Sequence, residues 1–240
     1  MTRSLLIARR EVYTYLRSPL GAAIIAGALL VDGIWFYWFG LRQQKISFDA
    51  LTEFFETASG TTMIAAIILA MRLLAEERQT GTITLLNTAP LRDAEIVFGK
   101  FLAAFGVIVL MTALTIYMPF IVKVHGKVSF GHILVGYAGV LLLGAAATSV
   151  GLFASTLARS QVVAAIVGAV LLAVLLLQWM VSRVVEPPLN GFLAALALHH
   201  QNFIPFKQGI LDLKHVVYYL AITFFFLLAS TKVMEARRWR

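Results

Sequence analysis

One polar stretch in this chain, residues 72–100, carries the side chains with the most chemical potential. It reads RLLAEERQTGTITLLNTAPLRDAEIVFGK and lies between two long apolar runs. Arg72 and Glu76 are four residues apart and can pair along one helix face. Glu77 and Arg78 extend a charged helix end. Gly81 is placed to break that helix, since a glycine costs about 1 kcal/mol in a helix interior. Thr82, Ile83, Leu85 and Leu86 follow as a short amphipathic stretch, and Pro90 stops it. Asp93 and Glu95 bring negative charge to the start of the next helix, where the macrodipole favours it. Read this way, two helices are joined by a short crosswise helix bounded by breakers. Apolar side chains so presented can enter a groove on a partner. An ordinary connecting loop has the same punctuation.

Other candidate chemistry is sparse. Asp32 is a lone carboxylate inside an apolar run, which must face protein or water. It is either a pathway acid or a buried hydrogen-bonding residue near the end of its span, and the second reading is the stronger. His199 and His200 are adjacent, so on a helix they point about 100° apart, a poor geometry for one metal. A rim or gate role suits them better, beside the helix stop Pro187-Pro188. No H-E-x-x-H, G-x-S-x-G or P-loop occurs. Gly99-Lys100 fails as a phosphate cradle because Phe101 stands where a Ser or Thr would hold magnesium, so no catalytic, cofactor or metal residues are expected. With no cysteine in the chain, thiol and disulfide chemistry is excluded.

These residues must be positioned by membrane helices. The 240 residues are 60% hydrophobic and 13% charged, with mean hydropathy +0.86. A soluble domain of this length could not bury so much apolar surface. At roughly 20 residues per span, six spans are expected, over residues 20–41, 58–75, 97–122, 132–157, 162–181 and 215–231. Residues 1–18 read as an amphipathic helix on the membrane surface, with Leu5, Ala8, Val12 and Leu16 on one face and Arg3, Arg10 and Arg17 on the other. Residues 42–57 are polar and amphipathic and read as a short external helix. Gly136, Gly139, Gly144 and Gly151 mark the fourth span for close helix packing. Residues 182–214 form the longest external segment, whose apolar 192–198 portion is too short to cross and suits a re-entrant or interfacial helix. Asp212 is placed to cap the last span.

Six spans put both termini on one side. Thirteen of the twenty Lys and Arg residues fall on that side, so the termini and the 72–100 stretch are expected in the cytoplasm. The net charge of +8 is thereby explained by orientation, with no nucleic-acid partner.

The run from Arg72 to Leu91, followed by Glu95-Ile-Val-Phe-Gly-Lys-Phe-Leu-Ala, resembles the permease subunit of ABC-type-2 exporters, and most of all the bacterial gliding-motility and copper-enzyme-maturation branch. Arg9-Arg10-Glu11 before Tyr15-Leu-Arg-Ser-Pro resembles the family's entry helix, and the segment from Phe206 to Leu220 resembles its lead into the last span. The resemblance implies an all-α, single permease domain of six transmembrane helices in the bacterial inner membrane, with residues 1–18 as an elbow helix. Residues 76–96 would form the cytoplasmic coupling loop and 182–214 an extracytoplasmic gate segment. It implies two copies of a separate ABC ATPase subunit that bind ATP and magnesium. A second permease, as homodimer or related chain, is implied, and a periplasmic or envelope partner is a further expectation. Glu76, Glu77, Arg78, Gly81, Thr82, Ile83, Leu85 and Leu86 would be the coupling residues. Asp32, Pro187, Pro188, His199 and His200 are the pathway or gate candidates. The chain would not be an enzyme by itself; it would couple ATP hydrolysis elsewhere to export or to force transmission. Thr61, Thr62 and the doubled histidine depart from the family pattern. The competing readings are an ion-coupled secondary transporter using Asp32 and an intramembrane enzyme.

Overall fold

The computed structural model describes residues 3–42, 46–82, 91–187 and 189–238. Among them the secondary structure is helical throughout, with no strand. Helix α1 (Arg3–Arg17) precedes α2 (Pro19–Trp35), which continues through a π-helical turn at Phe36–Leu41. Ser18 divides the two helices. Its hydroxyl accepts the Gly21 N–H at 3.0 Å, and Pro19 sits at the first position of α2, where a missing N–H costs nothing. Next come α3 (Ser47–Ala70), α4 (Ala75–Gln79), α5 (Asp93–Leu114) and α6 (Tyr117–His125). They are followed by α7 (Phe130–Leu157), α8 (Gln161–Ser182), α9 (Leu189–Leu196), α10 (Ile204–Lys207) and α11 (Leu213–Arg238).

Among the described residues six stretches are long and apolar enough to cross a membrane: Pro19–Gly40, Ser47–Gln79, Asp93–His125, Phe130–Leu157, Gln161–Ser182 and Leu213–Arg237. The expected six spans are therefore present, with one correction. From Ser47 on, the stretch expected as a short external helix is the start of the second span's own helix. From Ser47 the chain runs directly into the second span as α3, because Phe54, Phe55 and Leu51 are buried against neighbouring helices and carry the apolar face through the polar residues. The second and third stretches are 33 residues each, about 50 Å at 1.5 Å per residue, against a hydrocarbon core of about 30 Å. Their ends project past the bilayer.

The helices divide by burial. Two-thirds of the apolar windows of α3 and α7 are buried (67% each), against 17% for α8 and 22% for α11. The first pair forms the centre with α5, and α2, α8 and α11 pack around it. Large exposed side chains such as Val170, Val174, Phe224 and Phe225 are what a lipid solvent permits. Small residues set the central contacts. A Cβ on Gly136 or Gly139 would overlap Phe55 or Phe206, and one on Gly151 would lie 2.6 Å from the Ala70 methyl. The expectation for the fourth span is met: without a hydrophobic drive between helices in lipid, close backbone approach supplies the packing.

Both ends of the chain meet at one end of the bundle. Helix α1 lies along α5 and contacts it where Gly99 leaves no side chain; a Cβ there would sit 2.8 Å from the Ser4 carbonyl oxygen. Near the other terminus, Arg237 reaches the end of α7, donating to the Leu157 carbonyl at 3.0 Å. Helix α1 also packs one face inward, which its amphipathic pattern did not specify. Ala8 and Tyr15 are buried, while Leu5, Leu6, Tyr13 and Leu16 are exposed. Tyr15 and Glu11 have partners in the bundle, and the leucines are left for the membrane.

Candidate functional site

At the terminal end of the bundle, α3 stops at Ala70 and the chain makes a turn through Met71 to Leu74 before α4. A side chain from another span closes that turn. Ser155 on α7 accepts the N–H groups of Leu74 and Ala75, both at 3.0 Å, and donates to the Met71 carbonyl at 3.2 Å. The first N–H groups of α4 and the last carbonyls of α3 would otherwise be unpaired in a buried place.

The three charged residues of α4 go to three different neighbours. Glu76 pairs back with Arg72, as its spacing predicts, in a two-pronged contact: Arg72 Nε donates to Oε2 at 2.7 Å and Nη2 to Oε1 at 2.9 Å. Glu77 turns inward to Lys100 of α5, with Oε1 2.8 Å from Nζ. The same Lys100 ammonium donates to Glu11 Oε1 of α1 at 2.9 Å. Lys100 is 1% exposed, so its charge stays in the bundle only because two carboxylates hold it. Glu77 Oε2 is buried without a hydrogen-bond partner among the described residues. Arg78 caps the C-terminus of α7 by donating to the carbonyls of Thr156 and Ala158, the latter at 3.0 Å. A cation there meets the negative end of the helix dipole.

Tyr15 completes the assembly. Its hydroxyl donates to the Leu69 carbonyl at 2.8 Å, and its ring lies under the Arg72 guanidinium. Burial, followed by the nearby Glu11 carboxylate, holds this phenol protonated well above its usual range. Elements α1, α3, α4, α5 and α7 are thereby tied together by polar contacts. Helix α4 ends as expected: Gly81 has φ +74°, the left-handed conformation that favours glycine. The Thr80 and Thr82 hydroxyls are 3.0 Å apart beyond it. Ile83, Leu85 and Leu86 lie outside the described residues. After Leu91, Glu95 accepts the Arg92 N–H at 2.9 Å and secures the start of α5.

The opposite end holds the remaining candidates in separate places. Asp32 is buried and accepts a hydrogen bond from Thr61 at 2.8 Å. The carboxylate and the departure at Thr61 are thus one feature, a hydrogen bond between the first two spans. His199 Nε2 lies 2.8 Å from Ser59 Oγ and 4.0 Å from Glu56, whose other oxygen pairs with Lys207 at 2.7 Å. Burial, the larger cause, pushes the His199 imidazole below its usual range; Glu56 opposes this. His200 points elsewhere and stacks on Trp179 of α8, centroids 4.1 Å apart. The two histidines diverge, and among the described residues no group of three His, Asp or Glu could hold a metal. Helix α9 packs on α8, and the Leu198 N–H reaches the Leu175 carbonyl at 3.0 Å. The 192–198 portion therefore folds back on the span before it. Asp212 begins the last span as expected, accepting the Lys214 N–H at 2.9 Å. Pro187 is exposed in the preceding turn; Pro188 lies outside the described residues.

Sequence reasoning missed Lys100, Glu11, Tyr15 and Ser155 as parts of one site. One signal was present: Lys100 is a lone cation in an apolar run, as informative by the cost of burying charge as Asp32.

The terminal end spends its charged groups on ion pairs and a helix cap. It makes a polar anchorage for a short charged arm at one end of a six-span bundle. No curated protein matches the chain. The model of the family described as ABC-2 family transporter protein matches residues 7–235. This multi-pass membrane chain belongs to the ABC-2 transporter family.

Proposed function

We propose that the chain is the permease subunit of an ATP-driven exporter or envelope machine in the bacterial inner membrane, of the gliding-motility and copper-enzyme-maturation type. Family membership implies an ABC ATPase partner. Two copies of it, binding ATP and magnesium, would dock against residues 76–96, and a second permease, identical or related, would complete the membrane part. The chain itself supplies no catalysis in this reading. The Lys and Arg distribution supports cytoplasmic termini, which puts the arm on the side where ATP is available. Residues 1–18 serve as the elbow and residues 182–214 as the extracytoplasmic gate segment of one permease domain.

The observation that carries this reading is the Glu11–Lys100–Glu77 bridge, with its two contacts of 2.9 and 2.8 Å. It joins the elbow, the arm and the third span through one buried cation. Arg78 joins the arm to the fourth span. A push on the arm is thereby delivered to α1, α5 and α7 together rather than lost in a hinge. For ATP to drive a change, the ATPase must bind the two permease conformations unequally; an arm tied to several spans makes such a difference available. Asp32 and His199 act as structural hydrogen-bonding residues here, which leaves an ion-coupled mechanism without a carboxylate cluster to use.

The test is co-purification of the tagged chain from gently solubilised membranes, with mass spectrometry and an ATPase assay of the eluate. A stoichiometric P-loop subunit, lost on changing residues 82–86, is expected. Further envelope proteins in the eluate would identify the machine served. A chain that purifies alone in several detergents refutes the reading and returns attention to a secondary transporter built on Asp32.

A further inference from the structure

At the end of the bundle opposite the termini, a cavity of about 350 Å³ lies between the last turn of α8 and the segment after α9. Its size is in the range of small-ligand sites, roughly 300–1,000 Å³. Trp179, Ser182 and Arg183 line it from α8, with His200, Gln201 and Ile204 across from them. The polar wall is preassembled. The His200 ring is stacked on Trp179, and the Arg183 guanidinium carbon lies 4.4 Å from the same ring's centroid. Two side chains rich in rotamers are thus held in place by one indole.

What these groups lack is an acceptor. Among the described residues the Arg183 guanidinium has the Trp179 ring contact but no hydrogen bond or ion pair, and Gln201 has none either. No Asp or Glu lines the cavity. Glu186, three residues beyond Arg183, makes no ion pair with it. Lys100 and Lys207 pair with Glu, and Arg78 and Arg237 with carbonyls; Arg17, Arg42 and Lys123 lie over single rings as Arg183 does, but only Arg183 shares its ring with a second polar side chain in the lining of this cavity. Leu177, Met180, Val181 and Val184 are exposed on the other face of the same helix end, turned away from the cavity.

We propose that this cavity binds the phosphate-bearing headgroup of an anionic amphiphile, with Arg183 as the principal donor. The planar guanidinium matches two phosphate oxygens at once. His200 and Gln201 each bring N–H donors, and Trp179 is the indole expected where one end of a site is apolar and the other wet. The site stands apart from the ATPase reading: it needs neither the arm nor a nucleotide.

The experiment uses the full chain in a neutral maltoside detergent. Short-chain phosphatidylglycerol or phosphatidylcholine is added, and retained lipid is counted by native mass spectrometry. Wild type is expected to hold phosphatidylglycerol at least tenfold better. Arg183→Gln is expected to lose about tenfold, equivalent to about 1.4 kcal/mol, and Trp179→Leu to lose most of the preference because it releases both Arg183 and His200. Lys127→Gln removes an exposed charge on the same end of the molecule and is expected to change nothing. Displacement of phosphatidylglycerol by millimolar inorganic phosphate assigns the site to the anion itself. Resistance to phosphate assigns it to headgroup and chain together. Both uphold the proposal. No preference in the wild type, or equal losses in Arg183→Gln and Lys127→Gln, overturns it, since either result means unspecific surface attraction.

Discussion

Replacing Lys100 with Met should loosen the arm from the bundle. The methionine keeps an apolar stem of similar length and removes the ammonium. Two carboxylates, Glu11 and Glu77, then face the vacated place without a cation. Breaking a buried ion pair by removing one partner costs about 3–5 kcal/mol. Here the partners are 25% and 18% exposed and can recover some hydration, so a cost of about 2–3 kcal/mol is expected. For a chain of this size, 1 kcal/mol corresponds to about 2–4 °C in Tm, which puts the shift on the order of 5–10 °C in detergent. Glu11→Gln should cost less than Glu77→Gln, since Glu11 is the more exposed and in both variants Lys100 keeps one partner. The local readout is amide exchange: Ala75–Gln79 should lose protection in Lys100→Met while α7 does not. The double variant Lys100→Met with Glu77→Gln should be less damaging than the sum of the two, by about 1 kcal/mol. Strict additivity, or a Tm change under about 1 °C in Lys100→Met, refutes the idea that this cation fastens the arm.

Three further outcomes follow from the geometry. Ser155→Ala removes the group that pairs Leu74, Ala75 and Met71; with donors left buried and unpaired it should lower stability by about 2 kcal/mol, measured by Tm, with exchange increased first at Leu73 to Glu76. Gly151→Leu sets a side chain against Ala70, where even a Cβ lies at 2.6 Å; α3 and α7 must separate, and purified protein should be polydisperse by size exclusion, whereas Gly27→Leu, with open space around it, should not. His199 titrates below its ordinary value of about 6.5 because burial disfavours its charged form. Its folded form binds fewer protons than its unfolded form, so its contribution is complete above about pH 6.5 and is lost as the pH falls through the folded value. Exchange protection around Ser59 and Phe203 should therefore drop between neutral and mildly acid pH, and His199→Gln should flatten that dependence.

The sequence by itself determined the solvent. Burial of an apolar excess on this scale has no solution in water, so six helices and their approximate limits could be read from composition and run length. Local signals read true because they act within a few residues: Arg72 with Glu76, Gly81 as a stop, and Glu95 and Asp212 as helix starts. The external helix over 42–57 misled because its polar residues are local, while Leu51, Phe54 and Phe55 are buried by helices far along the chain. The inward face of α1 had no local signal for the same reason, since Tyr15 is fixed by the Leu69 carbonyl and Glu11 by Lys100. Tertiary structure alone decided which charged residues share a cation, which serine closes a turn 80 residues away, and that His199 and His200 serve different walls. Periodicity reports which face of a helix is apolar. Which polar groups meet across helices depends on rotation and depth in the bundle, and those are set by close contacts such as Gly99 on Ser4 and Gly151 on Ala70.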